Sequence, residues 1–227
     1  MIIFSMQNLT KYKKSQDGVM RTEKEIRTYF EEKGLEEMLG DLEAKTAPFW
    51  RPPERLELEM RKTAEGRGFI YITGTNIRYP LVQGQNNYEY LNLSPERVRN
   101  LHGSIFIDYR NQSPFNGDFN TIIHGHNMRD GTMFHNLNLV DPREVKTLVH
   151  IWDEKENSVW EVFASFVVSD EVWVYQINPD RNEYLRQISF IAEIELSEDL
   201  LTTSSILTLS TCTISGEDRV VWQARRL

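Results

Sequence analysis

The chain has 227 residues, 40% of them hydrophobic and 26% charged, ordinary proportions for a globular protein long enough to bury one sizeable core. Its formal net charge of -8, with no basic cluster to offset it, argues against non-specific nucleic-acid binding. A single cysteine excludes an internal disulfide framework, although a free thiol suits a surface enzyme that needs it as well as it suits the cytosol.

Residues 1–21 are polar and read as a flexible segment. Met1-Ile2-Ile3-Phe4 is far too short to span a bilayer, which takes about 20 apolar residues, and it lacks the basic flank and cleavage site of a signal peptide. Residues 22–67 read as helices packed on the body that follows. Thr22 caps the first, with Glu25 completing a capping box. Ile26, Tyr29, Phe30, Leu35, Met38, Leu39 and Leu42 recur at spacings that give one apolar face. Pro52-Pro53 ends that region and opens a second helix, with Leu56, Met60 and Ala64 one turn apart.

From Gly68 the pattern changes to short strands, and residues 68–227 read as one domain. Strands are expected at 69–72, 104–108, 120–123, 146–151 and 159–168. Residues 182–194 read as a helix with Leu185, Ile188 and Ile191 on one side. Two more strands follow at 205–209 and 219–222. Many short strands with few helices between them point to a barrel or a sandwich. No internal repeat or low-complexity segment is visible.

The chemistry concentrates near the C-terminus. Cys212 leaves the apolar run 206–209, and Arg219 opens the next one. Taken alone, such a cysteine is more often an inert packing residue than a nucleophile. A thiol near a fixed cation becomes a nucleophile candidate when a base is also available. Three histidines cluster upstream: His124, His126 and His135. The run Thr121-Ile122-Ile123 reads as a strand that Gly125 and Asn127 break. His126 therefore stands where a strand gives way to a loop. His-x-His can also supply two metal ligands, but no further His or Cys spacing completes a metal motif, so no metal and no cofactor are expected.

Leu209-Ser210-Thr211-Cys212 followed by Arg219, with Gly125-His126-Asn127-Met128 upstream, resembles the sortases, cysteine transpeptidases of the Gram-positive cell surface. Residues 74–83 (GTNIRYPLVQ), 103–111 (GSIFIDYRN) and 130–134 (DGTMF) are similar to the class B branch, and the likeness runs from about Phe69 to Arg225. The resemblance implies a mainly β fold with some α: an eight-stranded sortase β-barrel, two N-terminal helices and a helix in the connection before the cysteine strand. It implies that Cys212 attacks after the threonine of a C-terminal sorting motif, that His126 is the acid and base, and that Arg219 steadies the oxyanion. The resulting thioacyl enzyme would pass to an amine of a cell-wall precursor or a pilin lysine.

It implies substrate contacts from Asn87, Leu91, Ser210, Thr211, Tyr175 and Ile177. The partners would be surface proteins bearing the motif and an amine acceptor, at the extracytoplasmic face of the membrane. Class B sortases normally carry an N-terminal membrane anchor, so the sequence is expected to start downstream of one. The chain departs from the family at His124, where tyrosine is usual, and at Arg78, where an acid is frequent. The stretch between Cys212 and Arg219 is also somewhat short. Three other classes compete. A cysteine peptidase would release its product to water. An L,D-transpeptidase would set its cysteine in His-Gly-Cys, which is absent here. A silent peptide-binding module would not need all three polar residues.

Overall fold

The computed structural model describes residues 65–142, 146–153, 155–169 and 172–227. Its strands are β1 Gly66–Ile72, β2 Arg78–Val82, β3 Ile105–Ile107, β4 Asn120–His124, β5 Leu148–Trp152, β6 Asn157–Val168, β7 Ile206–Cys212 and β8 Arg219–Arg226. They close into a barrel in the order β1-β2-β3-β4-β7-β8-β6-β5. β2–β3 and β4–β7 are parallel pairs, and the rest are antiparallel. The expected helix before the cysteine strand is α1, Arg181–Ala192, followed by a short α2, Glu198–Thr202. The Asp180 carboxylate caps α1 by accepting from the Glu183 amide at 2.9 Å. Residues 1–64, with the expected N-terminal segment and helices, lie outside the described residues, while Gly66 and Arg67, expected with those helices, begin β1. Among the described residues no helix is long and apolar enough to cross a membrane.

β2 escapes the strand pattern because Pro80 sits at its centre, and proline cannot donate to a ladder. The barrel tolerates it because β3 pairs with β2 only at Leu81 and Val82, past the proline.

The barrel is filled by alternate residues of its strands, among them Ile70, Ile72, Leu81, Ile107, Ile123, Leu207, Leu209 and Trp222. Two outer clusters cover other parts of its wall. Phe69, Tyr71, Val82, Tyr90, Phe106 and Trp152 form one. Ala164, Phe166, Val168, Val174, Tyr184, Ile188 and Val221 form the other, beneath α1. A bulge in β6 links interior and exterior. Val162 pairs with Ala224 and Ala164 with Gln223, leaving Phe163 as the extra residue. A one-residue slip reverses the facing of all that follows. Trp160 and Val162 therefore fill the barrel, whereas Ala164, Phe166 and Val168 turn outward to seat α1. That seat fixes the connection carrying Tyr175 toward the cysteine strand.

Candidate active site

Three neighbouring strands, β4, β7 and β8, bring the site together. Cys212 ends β7 and Arg219 begins β8, and the two are direct register partners. The connecting turn closes through the Thr213 amide on the Asp218 carbonyl (2.9 Å) and the Gly216 amide on the Thr213 carbonyl (3.0 Å). On the other side of β7, His124 of β4 stands opposite Ser210 in parallel register. Two residues past that pair, His126 lies in the loop that leaves β4 and Cys212 ends β7. The short link from Cys212 to Arg219 is thus a hairpin turn that places cation and thiol side by side.

Cys212 shares the outward face of β7 with Thr208 and Ser210, while Thr211 alternates inward with Leu207 and Leu209. The thiol is half-buried. Arg219 donates from Nη1 to Cys212 Sγ at 3.4 Å and to the Asp218 carbonyl at 3.4 Å. Its remaining N–H groups bond no described residue, so they are available to negative charge developing beside the sulfur.

Gly125 lets the backbone leave β4 tightly against the core. A Cβ there would lie 2.4 Å from Ile105 Cδ1 and 2.8 Å from the Phe134 ring. The Gly125 amide bonds the Ser210 carbonyl at 3.1 Å, and the Phe134 amide bonds the His126 carbonyl at 2.9 Å. His126 Nε2 lies 2.8 Å from the Leu91 carbonyl. A carbonyl can only accept, so Nε2 carries a proton and the exchangeable lone pair belongs to Nδ1. Nδ1 bonds no described residue. The fixed nitrogen orients the ring and leaves the other free to move a proton.

Asn127 ties this loop to the nucleophile. Its Nδ2 donates to the Cys212 carbonyl at 3.0 Å, and Asn138 Nδ2 donates to the same oxygen at 3.1 Å. His135 Nδ1 donates to Asn127 Oδ1 at 2.7 Å and holds that amide in place.

His124 takes a different partner. Its Nε2 meets Asp108 Oδ2 at 3.1 Å, and its ring lies 5.3 Å from Phe106 and 5.9 Å from Tyr175. Burial opposes ionisation of Asp108. Side-chain bonds from Arg110 and His124 and the Arg110 amide outweigh that penalty and hold the carboxyl far below the usual carboxylate range. The three clustered histidines therefore bind a carboxylate, a peptide carbonyl and an amide separately. Among the described residues no group of three or more His, Cys, Asp or Glu side chains is placed to hold a metal ion.

Asn87 donates to Asp108 Oδ2 at 2.8 Å and accepts from the Tyr109 amide at 3.0 Å, so both ends of its side chain are occupied. Leu91 contributes its carbonyl to His126. Tyr175 ends a 3-10 turn, and its hydroxyl lies 2.9 Å from Ser210 Oγ. Ile177 offers its carbonyl to the Asn120 amide at 2.9 Å. Thr211 is buried, and its Oγ1 has no partner among the described residues. Its hydroxyl faces the barrel, which leaves its backbone for any outward contact.

Residue spacing does not single out Asp108, Asn127 or Asn138 as site residues. Asn127 and Asp108 stand inside recognisable blocks but carry no chemistry of their own. Asn138 gives no sequence signal, because its role depends on a contact 74 residues away.

The Sortase domain family model matches residues 70–227. The chain belongs to the sortase family. Within the family it falls in class B. It is 28% identical over 152 residues to Sortase B of Staphylococcus aureus, covering 64% of this chain and 62% of that protein. It is 31% identical over 153 residues to Sortase B of Listeria monocytogenes, covering 64% and 61%. The chain thus spans about three fifths of the length of these relatives. A solved class B sortase of Streptococcus pyogenes, involved in pilus biogenesis, is similar with a TM-score of 0.66 and 26% identity, covering 75% of this chain and 97% of that one. The matched region of this sortase includes His126, Cys212 and Arg219.

Proposed function

We propose that this sortase is a cysteine transpeptidase that cleaves a C-terminal sorting motif after threonine and transfers the acyl group to an amine. The pairing of Cys212 with Arg219 across β7 and β8, with His126 in the loop that leaves β4 and its neighbour Asn127 bonded to the Cys212 carbonyl, supports this reading most directly. Cys212 gives its thiol proton to the lone pair of His126 Nδ1, the resulting thiolate attacks the threonyl carbonyl carbon, and the carbonyl electron pair moves onto oxygen. Free N–H groups of Arg219 meet that oxyanion. Collapse expels the amine leaving group, which takes a proton from His126 Nδ1, and leaves a thioester on Cys212. The incoming amine attacks the thioester and gives a proton back to Nδ1. The sulfur departs and a new amide remains.

Ser210, Tyr175, Leu91 and Ile177, with the backbone at Thr211, would line the groove for the motif. The partners would be surface proteins bearing that motif and an amine of a cell-wall precursor or a pilin lysine. The similarity to a pilus-biogenesis sortase supports keeping both acceptors. The working place would be the extracytoplasmic face of a Gram-positive membrane, with the chain tethered by an N-terminal anchor.

The test uses quenched peptides with one fixed threonine and randomised neighbours, with and without an amine such as triglycine. Ligated product that requires Cys212 supports the proposal. Release of the free acid alone, unchanged by amine, would make the enzyme a peptidase.

A further inference from the structure

Asn120 is fully buried at the start of β4, and no motif singles it out. The two N–H groups of its side-chain amide are shared among the Gln176 carbonyl at 2.9 Å, the Tyr184 hydroxyl at 3.1 Å and the Val174 carbonyl at 3.3 Å. Its backbone amide takes the Ile177 carbonyl. The carbonyls on either side of Tyr175 are therefore gripped by one side chain. The rest of the network has a fixed direction. Tyr184 spends its only hydroxyl proton on the Val174 carbonyl at 2.8 Å and accepts from Gln223 at 2.7 Å. Thr208 donates to Asn120 Oδ1 at 2.7 Å and accepts from Gln223 at 3.1 Å. Thr208 lies on the outward face of β7, two residues before Ser210, which bonds Tyr175. Every polar side-chain atom of Asn120, Thr208 and Tyr184 is bonded here, although Gln223 Oε1 is buried without a partner among the described residues, and such a network favours one arrangement.

We infer that Asn120 is a positioning residue for peptide binding: it locks the connection carrying Tyr175 onto the cysteine strand and so sets the groove beside Cys212. Tyr184 is its auxiliary. This inference rests on the reading of Tyr175 as part of the peptide groove. Asn120 itself touches neither Cys212, His126 nor Arg219.

The test compares wild type, Asn120→Ala and Tyr184→Phe on the best-cleaved peptide of the randomised library, counting cleavage whether the product goes to amine or to water. Losing the grip on two buried carbonyls should raise KM about tenfold in Asn120→Ala, with kcat within about twofold of wild type. Alkylation of Cys212 by iodoacetamide, which needs no groove, should stay within about twofold of the wild-type rate. Tyr184→Phe keeps the ring and loses one hydroxyl, so its KM should rise about threefold. If Asn120→Ala does not fold, Tyr184→Phe decides alone. An unchanged KM in a folded variant overturns the inference, as does a fall in kcat that tracks slower alkylation. A wild type that hydrolyses but does not ligate would remove the transfer reading and leave this test intact. The absence of any Cys212-dependent cleavage would overturn both.

Discussion

The Asn127 side-chain amide donates to the main-chain carbonyl of Cys212 at 3.0 Å, so the residue after the proposed base grips the backbone of the proposed nucleophile. This bond spans 85 residues of sequence and couples the two halves of the site. Removing it should loosen their alignment without removing a reactive group. Asn127→Ala should lower kcat by about tenfold to a hundredfold, the scale of a small misplacement, with KM little changed. Steady-state kinetics beside a melting curve checks this. A lowered KM or full activity would make the bond incidental.

Arg219 meets both sulfur and backbone with one nitrogen and leaves its other donors free. Lysine keeps the charge and loses the planar fork. Arg219→Lys should lower kcat/KM by at least about a hundredfold, the scale of an oxyanion donor. Near-wild-type kinetics would assign the arginine a purely electrostatic part.

His124 and His126 are two residues apart and have unlike surroundings. His126 keeps Nδ1 free beside the thiol strand, whereas His124 is bound to Asp108 between Phe106 and Tyr175. His126→Ala should cost about 10²–10⁴ in rate. His124→Tyr keeps an aromatic ring in that slot and should retain most activity. Amine-dependent ligation by the two variants is the measurement, and the opposite ranking would move the base to His124.

His150 predicts a pH dependence of stability. It is buried on β5, stacked 5.4 Å from Tyr71, with Arg78 5.2 Å from the same Tyr71 ring. Its Nε2 has no partner among the described residues. Burial holds the ring down to about 4 from the usual 6.5. Between those values the unfolded chain binds the extra proton and the folded chain does not, so stability rises with pH. As pH falls from 6.5 to about 4, this one group should remove stability at up to about 1.4 kcal/mol per pH unit. His150→Phe should flatten that slope by one proton in urea titrations across this window. An unaltered slope would place the acid sensitivity elsewhere.

Much of the fold is readable along the chain because its strands and α1 carry local apolar patterns. The hairpin pairing of Cys212 with Arg219 is also local, since a short turn can join only neighbouring antiparallel strands. What the sequence hides depends on distant pairing. The parallel β4–β7 pairing brings the loop carrying His126 to the end of the cysteine strand across more than a third of the chain, tied there by the Gly125 amide on Ser210 and the Asn127 amide on Cys212. The bulge at Phe163 reverses the facing of β6 with no change in composition. Pro80 conceals β2, and Asn87, expected from the resemblance to contact substrate, has its side chain bonded to Asp108 and Tyr109. Polar residues such as Asn120 and Asn138 announce nothing until their partners are in place.

The central claim is that Cys212 carries the acyl group between cleavage and transfer. Intact-mass measurement after mixing enzyme with a cleavable threonine peptide should show an adduct equal to the peptide up to and including threonine, mapped to Cys212. Addition of triglycine should discharge it with formation of the ligated peptide, and Cys212→Ala should form no adduct while melting within about 10 °C of wild type, since roughly 1 kcal/mol shifts a domain of this size by only about 2–4 °C. Cleavage that persists in Cys212→Ala, or ligation without a Cys212 adduct that triglycine discharges, would contradict the account.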